Sequence, residues 1–227
     1  MTLNEYAYDL YELLRANLTD NEHEDIRQIK FWLKNQRSFW ASNEIDKQMK
    51  FLSSDSPFLQ ELDNITVSIT DLGEKAGFTS GKKILRTEPL PDITSFHGGL
   101  AIEGVYPQCL VSGKLTLVPW DRFVNTGNLR FNSKAIYASY NHGRIYFKQS
   151  ANLENYRLLN KVKISAIFED PEELKEYINS DGNPAYSDND SFPISGKFYE
   201  NIKKSIINNN FELILNGRDS ETQSAAV

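Results

Sequence analysis

The chain has 227 residues, 40% apolar and 25% charged, with a formal charge of -6 and a pI near 5.2. That length holds one main domain with appendages, and the apolar fraction excludes global disorder. The acidic balance excludes tight wrapping of nucleic acid, which needs a concentrated basic surface.

No run approaches the roughly 20 consecutive apolar residues of a membrane span, and the N-terminus has no basic segment followed by an apolar run. Neither membrane insertion nor secretion is expected. The single cysteine, Cys109, cannot pair within the chain. Packing must therefore hold the fold, and a reducing compartment such as a bacterial cytoplasm suits it.

Thr2 and Glu5 form a capping box, and Leu3, Tyr6, Ala7, Leu10, Leu13 and Leu14 then follow helical period, which predicts a first helix over about residues 3–17. A second box, Thr19 to Glu22, with Glu24 and Asp25 beside it, opens a long helix that no Pro or Gly interrupts before about Lys50. Placed at 100° per residue, Ile26, Ile29, Trp32, Leu33, Phe39 and Trp40 collect in one broad arc, with Phe31 nearly opposite. This is more apolar surface than one hairpin partner covers. Phe31 is covered either by the β region or by another subunit. Arg27, Lys30, Lys34 and Arg37 form a basic band on the same helix. DNA contact is one reading of it; ion pairs to acidic residues of the same fold or of a neighbour match the net acidity better.

After the polar break Ser53 to Pro57 the period turns from helical to alternating. Ile65, Val67 and Ile69 mark one strand, Lys82 to Thr87 a second and Leu115 to Val118 a third. Ala135 to Lys148 reads as a hairpin around Asn141, His142 and Gly143. Lys161 to Phe168 is a further strand with Val162, Ile164 and Ala166 on one face. Pro171, Glu172 and Glu173 open a short helix over about 171–179. Asp181 to Asp190 is a loop, and Ile194, Phe198, Ile202, Ile206 and Ile207 predict a closing helix ending near Asn208.

The expected class is α+β. It has an N-terminal helical hairpin over 1–55 for assembly, a central antiparallel β domain over 56–170, C-terminal helices over 171–216 packing back on it, and a flexible tail over 217–227.

Chemistry is sparse. His23, His97 and His142 lie far apart and belong to no metal-ligand grouping. His97 precedes Gly98 and Gly99 without any phosphate-loop, dinucleotide or nucleophile-elbow pattern. Cys109 sits among Val105, Leu110 and Val111, surroundings that raise a thiol pKa and mark it as core. Asp181, Asp188 and Asp190 lack the spaced run of ligands that calcium takes. No catalytic, cofactor-binding or metal-binding residue is assigned. The 13 Phe and 11 Tyr are the rigid amphipathic side chains that protein interfaces favour. The expected contact residues are Arg27, Phe31, Trp32, Arg37, Phe39 and Trp40 on the second helix, with Phe211 and Leu213 near the C-terminus.

The run Asp25-Ile26-Arg27-Gln28-Ile29-Lys30-Phe31-Trp32-Leu33-Lys34-Asn35-Gln36-Arg37, followed by Glu44-Ile45-Asp46-Lys47, resembles the second helix of ring and head-to-tail connector proteins of crAss-like bacteriophages. Phe168-Glu169-Asp170-Pro171 and the later Phe192-Pro193-Ile194 resemble two further elements of that family. Here Phe192 replaces a Tyr, and Ser195 replaces a second Pro. The resemblance implies a non-enzymatic virion protein. It implies a homo-oligomeric ring, a dodecamer matched to the portal protein, that touches the portal and adjacent ring or tail proteins. Double-stranded DNA would pass through its lumen without specific binding. Assembly would occur in the host cytoplasm. Two rival readings are another virion role, as tail-tube, stopper or capsid-associated protein, and a small phage hydrolase or nuclease. The latter requires a pocket of converging titratable groups.

Overall fold

The computed structural model describes residues 1–15, 25–47, 52–71, 83–97, 99–108, 113–123, 126, 135–149 and 159–208. Helix α1 spans Leu3–Arg15. Its capping box forms as the sequence predicts: Thr2 N donates to Glu5 Oε2 at 2.8 Å and Glu5 N to Thr2 Oγ1 at 3.2 Å. Helix α2 spans Ile26–Lys47. It starts later than expected because Asp25 is the cap, its carboxylate accepting from Arg27 N at 2.9 Å. The box at Thr19 to Glu22 lies outside the described residues.

Among the described residues nine strands follow: β1 Gln60–Asp71, β2 Lys83–Thr87, β3 Ser95–Phe96, β4 Gly99–Leu100, β5 Ile102–Pro107, β6 Thr116–Leu117, β7 Ile136–Asn141, β8 Arg144–Gln149 and β9 Lys161–Ala166. Helix α3, Trp120–Phe123, lies between β6 and β7. Seven strands form one sheet in the order β5-β9-β1-β2-β8-β7-β6, antiparallel throughout except for the parallel pair β6 and β7. The sheet curls until its edges meet, where Leu115 N, next to β6, donates to Val105 O of β5 at 2.8 Å. Closure removes the free edges that would otherwise template aggregation.

The interior is filled by Leu62, Ile65, Val67, Val105, Leu115, Ala138, Ile145, Phe147, Val162 and Ile164, drawn from strands all round the sheet. On the outer face, α3 places Trp120 and Phe123 over Ile84, Tyr137 and Tyr146. The β7–β8 turn is the two-residue pair His142 and Gly143, both at positive φ (47° and 71°), which fits the right-handed strand twist.

The predicted helix after Pro171 is a single 3-10 segment, Pro171–Glu176, capped by Asp170. Tyr177 then leaves in an extended conformation, and residues 177–185 fold into a small hairpin. In it Ala185 N donates to Tyr177 O and Asn179 N to Asn183 O, both at 2.8 Å. Leu174 and Tyr186 pack into the barrel core.

The closing helix, α4, covers 196–208. It packs mainly on α1 and α2, where Tyr199, Ile202 and Ile206 join Leu3, Tyr6, Leu10, Ile29 and Leu33 in one cluster. The molecule thus has a three-helix layer beside a barrel, and a second cluster (Ala41, Ile45, Phe58, Ala101, Ile167, with Phe198) fills the seam between them.

Candidate assembly surface

Helix α2 carries two rows of opposite character. Ile29, Leu33, Arg37, Ala41 and Ile45 are buried, each four residues after the last. Four residues advance 400°, so this row drifts about 40° round the helix at every step. The inward face therefore moves away from Phe39, which the predicted arc had placed inside; Phe39 is 58% exposed and Phe31 57%. With Asn35 between them, Phe31, Asn35 and Phe39 form an outward row in which the two rings stand about 12 Å apart along the axis. Among the described residues the β region does not cover Phe31. Trp32 and Trp40 are partly buried against the helical cluster, and the Trp40 ring meets Phe39 edge-on at 6.2 Å. Lys47 lies 5.8 Å over that ring.

Of the expected contact residues, Arg27 is exposed and Arg37 is not. Arg37 is fully buried and ties α2 to three other segments. Its Nη1 donates to Phe168 O at 2.7 Å, its Nη2 to Phe58 O at 2.9 Å and Gln60 Oε1 at 3.1 Å, and its Nε to Pro193 O at 3.1 Å. Burial pushes the guanidinium down to about 9, opposed by Tyr186 and Asp170, so it stays charged at neutral pH. The sequence reading of Arg37 as an interface residue therefore gives way to an internal clamp. The legible signal was its place in the buried four-residue row. Phe211 and Leu213 lie outside the described residues.

The basic band is partly consumed within the fold. Lys34 Nζ reaches Asp170 at 2.6 Å and Glu172 at 2.9 Å, and Lys175 reaches Glu172 and Asp188, each at 2.7 Å. Burial lowers the Lys34 pKa, but the two carboxylates outweigh it and hold the ammonium above its usual value. On the other side of the helical layer Asp9 accepts from Lys203 Nζ at 2.8 Å and from the Tyr199 hydroxyl at 2.5 Å. These bonds hold Asp9 below the ordinary carboxylate range, and burial together with Asp9 raises Tyr199 strongly.

His97 lies exposed in the turn between β3 and β4, and His142 lies exposed at its hairpin tip. Cys109 and His23 fall outside the described residues. Among the described residues no three acidic, histidine or cysteine side chains are grouped to hold a metal ion, and no helix is long and apolar enough to cross a membrane. A shallow cleft of about 200 Å³ lies beside the end of α2, lined by Ala41, Ile45, Leu52, Phe58 and Phe198, with Glu44 and Asp55 among its acidic groups.

The family model for crAss ring 2, described as phage tail ring protein 2, matches residues 5–226. The chain belongs to this family. It is accordingly a phage structural ring protein, and the match runs through the barrel as well as the terminal segments on which the sequence resemblance rests. No curated protein matches the chain. The outward row of α2 leaves two large aromatic side chains, Phe31 and Phe39, more than half exposed. Sequence reasoning also missed large apolar side chains exposed outside α2, among them Tyr8, Ile69 and, on the 177–185 hairpin, Ile178.

Proposed function

We propose that this ring protein is a non-enzymatic subunit of the head-to-tail connector. In this reading twelve copies close into a ring matched to the portal protein, held also by adjacent ring or tail proteins. The genome passes through the lumen without specific binding. The observation that carries the reading is the pair of exposed phenylalanines, Phe31 and Phe39, on the outer row of α2 in a chain of a ring family. The contact surface is that row with Arg27, backed by Trp32 and Trp40 and extended by Phe211 and Leu213. A charge of -6 supports a lumen that repels DNA and lets it slide.

Imaging of intact virions tests this. The expected result is a ring of densities, each fitting the barrel and three-helix layer, directly below the portal vertex. Finding the chain in the capsid shell, or absent from purified particles, would overturn the connector assignment.

A further inference from the structure

The protomer carries two exposed patches of opposite charge. The first is the outer row of α2. Arg27, exposed, and Lys30 lie within a turn of Phe31, and no acidic residue occurs between Ile26 and Asn43. The second is the 177–185 hairpin, which lifts Ile178 into solvent at 58% exposure. Exposed Glu173, Glu176 and Asp181 surround it in sequence.

The nearby cations are already engaged, Lys34 with Asp170 and Glu172 and Lys175 with Glu172 and Asp188. Among the described residues no ion pair reaches Glu173, Glu176 or Asp181. Carboxylates crowd there. Burial raises the Glu173 carboxyl, and Asp170, Asp92 and Glu169 raise it further against one backbone hydrogen bond. Tyr177 is raised by burial and then by Glu88, Glu176 and Glu173. Among the described residues, then, no cation is paired with Glu173, Glu176 or Asp181.

We propose that neighbouring copies meet head to tail, the Phe31 and Phe39 row of one copy seating on Ile178 and on the acidic 3-10 segment before it, with Glu173 and Glu176, of the next. The proposal deepens the ring reading above and rests on it. A two-fold contact through either patch would bring like charge onto like charge. Joining the two different patches sets Arg27 and Lys30 against Glu173 and Glu176 while covering three large apolar side chains. A two-fold contact spanning both patches would stop at two copies, so in a chain of a ring family the contact between different patches is the heterologous kind that closes into rings. Opposite charges in register would also fix the direction of addition.

The test uses the full chain with Cys109→Ser. One tagged population carries Phe31→Cys, a second carries Ile178→Cys, and the two are assembled together and treated with a short bismaleimide. The expected product is a mixed-tag covalent dimer, absent when either population is assembled alone. The Phe31→Cys, Ile178→Cys double variant should give a ladder of covalent oligomers. Charge reversal gives a second readout that does not depend on the cysteines. Glu173→Lys with Glu176→Lys should weaken assembly at least tenfold, and adding Arg27→Glu with Lys30→Glu should restore it. Intact rings without the mixed dimer and without charge rescue would overturn this contact and leave the ring reading standing. Absence of rings from the parent chain, even with its phage partners co-expressed, would overturn both.

Discussion

Arg37 occupies a position in α2 where the buried row otherwise holds only Ile, Leu and Ala. A guanidinium there is tolerable because its planar fork meets carbonyls from three segments at once, those of Phe58, Phe168 and Pro193. Hydrogen bonds to a charged group contribute about 1.5–3 kcal/mol each, and carbonyls stripped of a donor in the interior incur their own desolvation cost. Arg37→Met is expected to lower the unfolding free energy by about 3–5 kcal/mol in urea titration, because it leaves three buried carbonyls without a donor at about 1–3 kcal/mol each. Arg37→Lys should recover less than half of that, since an ammonium cannot reach all three acceptors. A loss under about 1 kcal/mol would mean that water replaces the fork and that the clamp contributes little. The folded value near 9 and the ordinary arginine value both lie above neutrality. The residue is thus charged in folded and unfolded chains alike, and its contribution should not change between pH 5 and 8.

The two rows of α2 differ in exposure, and the proposed contact surface lies on the outer one. Leu33 has no exposed surface, whereas Phe31 and Phe39 are more than half exposed. Substituting exposed residues usually alters stability by no more than about 0.5 kcal/mol, while emptying a packed leucine site costs about 2–5 kcal/mol. The double variant Phe31→Ser, Phe39→Ser should therefore keep its circular dichroism and melt within a few degrees of the parent, yet sediment as a monomer where the parent forms rings. Leu33→Ala should do the reverse, melting early and still assembling below its transition. If the double variant assembles normally, the outer row is not a contact surface. Elements with strong local signals were legible in the sequence. The capping box at Thr2, the His142–Gly143 turn and the alternation of Val162, Ile164 and Ala166 are each set by neighbours in the chain. The direction of Phe39 was not legible, because it depends on a drift of the buried row that only the partner surfaces decide. Strands β3 and β4, two residues each, are too short to show a period, and β5 went unread because Gly104 and Pro107 interrupt its apolar pattern.

Closure of the barrel is a property of the whole molecule, set by pairing β5 with β9 and Leu115 with Val105, and no local pattern announces it. The same scale governs the response to acid. Asp9 and Glu172 join α1 to α4 and α2 to the segment after Asp170. Lys203 and Tyr199 hold Asp9 low; for Glu172, burial acts upward but Lys175 and Lys34 outweigh it. A carboxyl lowered in the folded state contributes stability that is complete above its unfolded value, about 3.9 for Asp and 4.3 for Glu, and is lost as pH falls through the folded value. The protomer should therefore resist acid until pH drops below about 4. Glu173 has the opposite sign. Its pKa is raised by burial and then by Asp170, Asp92 and Glu169, so it takes up a proton more readily than an ordinary glutamate as pH falls. If a neighbour's Arg27 and Lys30 hold the ring through this patch, association favours the deprotonated form and must weaken as Glu173 is protonated. Sedimentation velocity and circular dichroism recorded on the same samples from pH 7.5 downward should show rings dissociating at a higher pH than the protomer unfolds. Glu173→Gln, which cannot titrate, should assemble less strongly at neutral pH and separate the two transitions less. Coincident loss of ring and fold in the parent would show that the acidic patch does not hold the subunits together.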